Sequence, residues 1–300
     1  MRLRLLHAIC ALILMSVTCP SWAGVYTLRW GLDQVCADRA PSAEAVTSHL
    51  ARFERPAWSV RPWPKLAGVN GRGSVVIETQ PAQAVRLSLL YFPGGRARAV
   101  DQLERLAEAY QGLPVSIWVI EYPGCGLAPG LPSLAANHAL AQAALRHIRQ
   151  QHPGRPVLAH GLSFGSLLAA ELATPAGAFD GLILESAITR FEDLLRGQVR
   201  RKVSRWLDWA VGIELQDGLA ALDARQALMK AACKPVLILQ GESDTLTPQR
   251  FAQELREAVP CSPQAQLVLV PAAEHAQTLE LQAGRQALKQ FLSPLLSGRP

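Results

Sequence analysis

The sequence predicts an α/β fold: a mostly parallel central sheet with helices on both faces and a small helical cap. Three observations carry this. Over residues 84–292, short apolar runs of the kind that form doubly buried strands alternate with segments of helical periodicity. Turns containing Gly and Pro separate these segments, and no internal repeat or low-complexity linker divides the chain. In residues 156–172, an apolar strand, a tight Gly-Leu-Ser-Phe-Gly turn and a run of helix formers at 167–172 follow one another.

Residues 1–23 read as a secretory signal. Arg2 and Arg4 precede an apolar run over 5–17, and Ser21-Trp22-Ala23 offers small residues where a signal peptidase cuts, so cleavage is expected after Ala23. The run is too short to cross a bilayer comfortably, and no integral membrane span is expected after cleavage. A lipidated Cys19 ranks second, because Ser16-Val17-Thr18 matches a lipobox poorly. The mature chain, 24–300, is expected to be one domain, periplasmic or secreted.

Residues 42–53 fit a helix with Ser42 as N-cap. Pro56, Pro62 and Pro64 then interrupt regular structure, and Asn70-Gly71-Arg72-Gly73 signals a hairpin turn before a strand at 74–78. The next strand, 84–92, runs into Pro93-Gly94-Gly95. Residues 97–111 form an amphipathic helix with Val100, Leu103, Leu106 and Ala107 on one face. A strand at 115–120 and a helix at 134–151 precede the serine turn, and a buried run at 181–184 ends in Glu185. Residues 191–218 have no clear strand and form the possible cap; Trp206 and Trp209 there share a helix face, as core or as a lid. Helices at 219–232, 249–258 and 279–292 then alternate with strands at 236–240 and 267–270.

The chain has 300 residues, 49% of them apolar, enough for a large core. Its net charge of +6 is scattered, with no basic run interleaved with aromatics, so no nucleic-acid partner is expected. Arg196, Arg200, Arg201, Lys202 and Arg205 form one basic cluster. It reads first as a solvated helix face and second as a surface attracting anionic lipid or an acidic substrate. Cleavage would leave Cys36, Cys125, Cys233 and Cys261. Cys233 and Cys261 each precede a strand, and neighbouring parallel strands would bring them to the same sheet end. A Cys233–Cys261 bridge is therefore the preferred pairing. No His-x-x-x-His pair or ligand-spaced cysteines point to a metal, and no cofactor is implied.

Gly161-x-Ser163-x-Gly165 between strand and helix is the context of a nucleophile elbow. A serine hydroxyl needs a base to take its proton and a third group to orient that base. In parallel sheets, reactive groups gather beyond the carboxyl ends of strands. Two later strand ends supply the residue types, with Asp244 after one and His275 after the last. Glu185, also at a strand end, is the stronger rival acid, and Glu242 the weaker. His160 reads as packing or as support behind the serine. For the oxyanion of a tetrahedral intermediate, the expected donors are the backbone N–H groups of Phe164 and Gly95, since Pro93 has none.

These residues resemble the α/β-hydrolase superfamily, most closely its serine-aminopeptidase-like and monoacylglycerol-lipase-like branch. The likeness covers about residues 84–292. It includes Tyr91-Phe92-Pro93-Gly94-Gly95, the loop Glu121-Tyr122-Pro123-Gly124-Cys125-Gly126-Leu127, residues 161–165, the Gly-x-x-Asp-x-x-x-Pro stretch at 241–248, and the segment ending at His275. The chain departs at Pro93, where the family usually has histidine, and at the alanines before Glu274. The resemblance implies the α/β-hydrolase fold and a triad of Ser163, His275 and Asp244. It also implies hydrolysis of an ester, thioester or amide through an acyl-enzyme on Ser163. The expectation is an exported hydrolase of a small-molecule or lipid-like carboxylic ester. The alternatives are a peptidase or amidase of the same fold and a non-catalytic binding scaffold.

Overall fold

The structure is a computed structural model describing residues 26–36, 58–64, 66, 69–70, 74–79, 85–173, 179–203, 208–231, 233–260 and 265–297. The expected signal segment, the helix at 42–53, Gly71–Gly73 of the turn, Arg205, Trp206 and Cys261 lie outside these residues.

In chain order the elements are β1 (Tyr26–Trp30), α1 (Leu32–Val35), β2 (Trp58–Pro62), β3 (Val75–Thr79), β4 (Leu87–Phe92) and α2 (Leu103–Ala109). Then come β5 (Val115–Val119), α3 (Leu134–Gln151), β6 (Val157–Leu162), α4 (Phe164–Leu172), β7 (Gly181–Glu185) and α5 (Phe191–Lys202). The last are β8 (Val211–Leu215), α6 (Ala224–Lys230), β9 (Val236–Gly241), α7 (Gln249–Ala258), β10 (Ala265–Val270) and α8 (Gln282–Ser297). The main sheet has eight strands in the order β10-β9-β7-β6-β4-β5-β3-β2. It is parallel from β10 to β5, and β3 and β2 close one edge antiparallel.

Alternation along the strands builds two cores. In β4, Leu90 and Phe92 face the layer of α3, α4, α6 and α7, whereas Leu87, Leu89 and Tyr91 face α2 and α8. Strands buried on both faces read as continuous apolar runs, as in β4, β5, β6, β7 and β9. Helix α3 starts where Ser133 caps it by accepting from the Ala136 N–H, a contribution of about 1 kcal/mol.

Two expectations are corrected. The prolines around residue 60 do not exclude a strand: β2 occupies the sheet edge, where Pro62 stands at the strand end and its missing N–H costs little. Nor is the 191–218 insertion purely helical. After α5 it forms β8, which pairs in parallel with β1 from Tyr26↔Val211 to Trp30↔Leu215. The small cap is therefore a helix together with a two-stranded sheet that recruits the first described strand. Asp217 extends the junction by accepting from the Leu32 N–H at 2.9 Å.

Candidate active site

Strand β6 delivers Ser163 into a turn so sharp that its backbone adopts φ 50°, ψ −116° before α4 begins. A non-glycine residue reaches that conformation only when its surroundings hold it there. Both flanking glycines are sterically required. A Cβ on Gly161 would lie 2.4 Å from the Gly165 carbonyl oxygen, and one on Gly165 would lie 2.0 Å from that of Phe92. The Ser163 N–H donates to the Glu185 carbonyl at 2.9 Å, and the Ser166 hydroxyl donates to the Ser163 carbonyl at 2.5 Å.

The three side chains expected together are brought together. His275 Nε2 lies 3.0 Å from Ser163 Oγ, and His275 Nδ1 lies 2.9 Å from Asp244 Oδ2. Asp244 is buried and well supplied with donors. Leu246 and Thr247 N–H donate to Oδ1 at 2.8 Å each, and the Thr247 hydroxyl donates to Oδ2 at 2.6 Å. Burial pushes its pKa up, but the hydrogen bond and charge of His275 and the Thr247 bonds outweigh this and hold it below the ordinary carboxylate value. The turn role of Asp244 and its contact with His275 thus coexist. Thr247 was not singled out by sequence reasoning; its place three residues after the acid was the available signal.

The rival acid is engaged elsewhere. Glu185 is fully buried, its Oε1 paired with the Arg105 guanidinium and accepting from the Thr278 hydroxyl at 2.5 Å. His160 Nε2 stands 3.4 Å from the other oxygen, and Tyr110 OH is 2.8 Å from His160 Nδ1. Burial pushes the pKa of Glu185 up, but the Arg105 charge, the His160 hydrogen bond and charge and the Thr278 bond together outweigh it and bring it to about 2. Arg105 also donates to the Ala276 carbonyl at 3.2 Å, and the Ala276 N–H donates to Ser186 Oγ at 3.1 Å. Glu185 therefore anchors the loop that carries His275 instead of touching the imidazole. Glu242 is exposed.

On the other side of Ser163, the loop holding Gly95 is tied twice. Tyr122 OH donates to the Pro93 carbonyl at 2.7 Å, and the Arg96 N–H donates to the Val35 carbonyl of α1 at 2.7 Å. No acceptor among the described residues takes the N–H of Gly95 or Phe164. Beside this loop, Cys36 and Cys125 form a disulfide that joins the end of α1 to the loop after β5. That bridge was not expected; Cys36 sits in a stretch without a periodic pattern. Cys233 is also disulfide-bonded, and its expected partner Cys261 lies outside the described residues.

A cavity of about 390 Å³ opens in front of Ser163. The first strand and α1 wall it with Leu28, Trp30 and Val35, and the cap helix with Phe191, Leu194 and Leu195. Phe191 packs edge-on against Phe164 at 5.9 Å and tilted against Trp30 at 5.9 Å. Trp209 of the cap is 76% exposed, so it does not pack in the core. Among the described residues, no group of His, Cys, Asp and Glu has metal-site geometry, and no helix is long and apolar enough to cross a membrane.

Comparison with known proteins points one way. Residues 219–295 match the family described as TAP-like protein. An uncharacterised protein of Mycobacterium tuberculosis is 33% identical over 257 residues, covering 78% of this chain and 84% of that protein. The lysophosphatidylserine lipase ABHD12 of Danio rerio is 29% identical over 182 residues, which is 56% of this chain and 46% of that lipase. Among solved structures, a propionate-bound esterase of Thermogutta terrifontis aligns with a TM-score of 0.56 at 20% identity, covering 80% of this chain and 95% of its own. A Pyrococcus furiosus esterase aligns at 0.59 and 12% identity, covering 88% and 98%.

Proposed function

The chain belongs to the α/β-hydrolase superfamily, and from that premise we propose that it is an exported serine hydrolase that cleaves a carboxylic ester through an acyl-enzyme on Ser163. The observation that carries this reading is the continuous relay from Ser163 Oγ through His275 to the buried Asp244, at 3.0 and 2.9 Å. In the proposed reaction, His275 Nε2 takes the hydroxyl proton as Oγ attacks the ester carbonyl carbon. The backbone N–H groups of Gly95 and Phe164 receive the oxyanion. His275 then gives its proton to the departing alkoxide as the carbon–oxygen bond breaks. Water, deprotonated by the same imidazole, attacks the acyl-enzyme and releases the acid. Asp244 holds Nδ1 and offsets the imidazolium charge.

The apolar pocket wall supports a small-molecule or lipid-like ester over a peptide. An aminopeptidase would need an acid near the site to hold a free amino terminus, and no carboxylate lines this cavity among the described residues. The signal-like residues 1–23 motivate export to the periplasm or beyond. The test is intact mass after treatment with a fluorophosphonate, beside the Ser163→Ala chain. A single adduct on the natural chain, absent from the variant, is expected, together with turnover of para-nitrophenyl esters. A folded natural chain that takes no adduct would overturn the proposal in favour of a binding scaffold.

A further inference from the structure

The cavity before Ser163 carries a charge pattern that ester cleavage alone does not need. Its walls are mainly apolar, and apart from His275 its ionisable lining residues are Arg96 and Lys202, both cations. Both are exposed, and neither has an ion-pair partner among the described residues. Other basic residues of the cap are neutralised: Arg190 pairs with Asp193 at 2.9 Å and Arg196 with Glu192 at 3.0 Å. The basic cluster is therefore not uniform, and among its described members Lys202 is the one that lines the cavity.

The two cations stand apart. Arg96 follows Gly95 directly, so it lies at the reacting end. Helix α5 turns Phe191, Leu194, Leu195, Gln198, Val199 and Lys202 toward the cavity as one face. Phe191 touches Phe164 beside the serine. At the helical rise, Lys202 lies about 16 Å further along the axis. One turn before it, the buried amide nitrogen of Gln198 has no hydrogen-bond partner among the described residues. A buried unpaired donor is costly, and an entering acceptor can recruit it by side-chain rotation. An apolar strip is thus flanked by cations, in a cleft whose low-dielectric walls concentrate the field.

We propose that the pocket selects esters of amphiphiles that also carry an anionic group, a carboxylate or a phosphate, and that Arg96 and Lys202 read that charge. This rests on the ester-hydrolase reading above. The anion has two possible positions. On the leaving alcohol, close to the ester, it would meet Arg96; at the far end of the acyl chain it would meet Lys202. In either place a cation without a partner gains a charge-assisted contact.

Two matched pairs of esters test this: para-nitrophenyl octanoate against its counterpart with a terminal carboxylate, and octanoylglycerol against octanoylglycerol phosphate. In at least one pair the anionic member is expected to have the higher kcat/KM by about tenfold at low salt. The ratio should shrink as ionic strength rises. Arg96→Met or Lys202→Met should lower it by about fivefold or more, and the variant that does so identifies where the anion sits. A ratio near one in both pairs, or one that neither salt nor either variant moves, would overturn the proposal. Calorimetry of decyl phosphate and decanol with the Ser163→Ala chain separates the two readings. Selective binding of the phosphate without turnover of any ester by the natural chain would retain the anion site and remove the ester reading. Equal binding of both would remove the anion site.

Discussion

Asp244 and Glu185 are two buried carboxylates at or just beyond the ends of neighbouring parallel strands, both held below their ordinary pKa, and they do different work. Asp244 lies in a loop whose own N–H groups and Thr247 hydroxyl fix both its oxygens, leaving Oδ2 directed at His275. Glu185 is the last residue of its strand. Its neighbours are a guanidinium from α2 and a threonine from the histidine loop, and together they fix that loop from behind. Position at a strand end makes an acid available. The partners that the fold sets beside it decide whether it holds His275 or anchors the loop carrying that histidine.

The largest expected effect comes from Asp244→Asn, the change aimed at that difference. The amide keeps the size but favours the wrong imidazole tautomer. The kcat on an activated ester should fall by about 10⁴ with little change in melting temperature. If Glu185→Gln were to match that loss of kcat with the fold intact, the two roles would have to be exchanged.

For Glu185→Gln the expected loss is chiefly of stability, about 3–5 kcal/mol, because Arg105 is left buried without its counter-charge. Replacing both partners, Arg105→Met with Glu185→Leu, should recover most of it. The pH dependence has a definite sign. The folded-state pKa of Glu185 is depressed, so its contribution is complete above the unfolded value of about 4.5. It is lost as pH falls toward about 2. Urea unfolding of the natural chain should weaken steeply across that window, and the Gln variant should lack this component. A variant whose pH profile superimposes on that of the natural chain would sink the account.

The parallel sheet could be read from the sequence because doubly buried strands and amphipathic helices write their burial into adjacent residues. Ser163, Asp244 and His275 could be read because each occupies a loop just beyond a strand. What escaped depends on partners distant in sequence. Arg105 looks like any arginine on the polar face of a helix, and only the fold brings it to Glu185 and Ala276. The pairing of β1 with β8 joins two five-residue strands far apart in sequence, too short for a period to stand out. Pro62 argues against a strand until the strand is known to lie at the edge.

A third change asks whether the contrast extends across Ser163. The histidine side is held by charges, whereas the Gly95 side rests on α1, through the Arg96 N–H to Val35 bond and the adjacent Cys36–Cys125 bridge. Removing the bridge with Cys36→Ala and Cys125→Ala should cost about 2–4 kcal/mol of stability, since it links segments 89 residues apart. It should also loosen the α1 wall beside Gly95, lowering kcat/KM by a few-fold, with the acid-unfolding window of Glu185 unmoved. If stability falls while kcat/KM stays constant, α1 is a fastening for the cap and plays no part in placing the oxyanion loop. If kcat/KM falls as expected, the chain uses a covalent tie for one half of its site and a buried ion pair for the other.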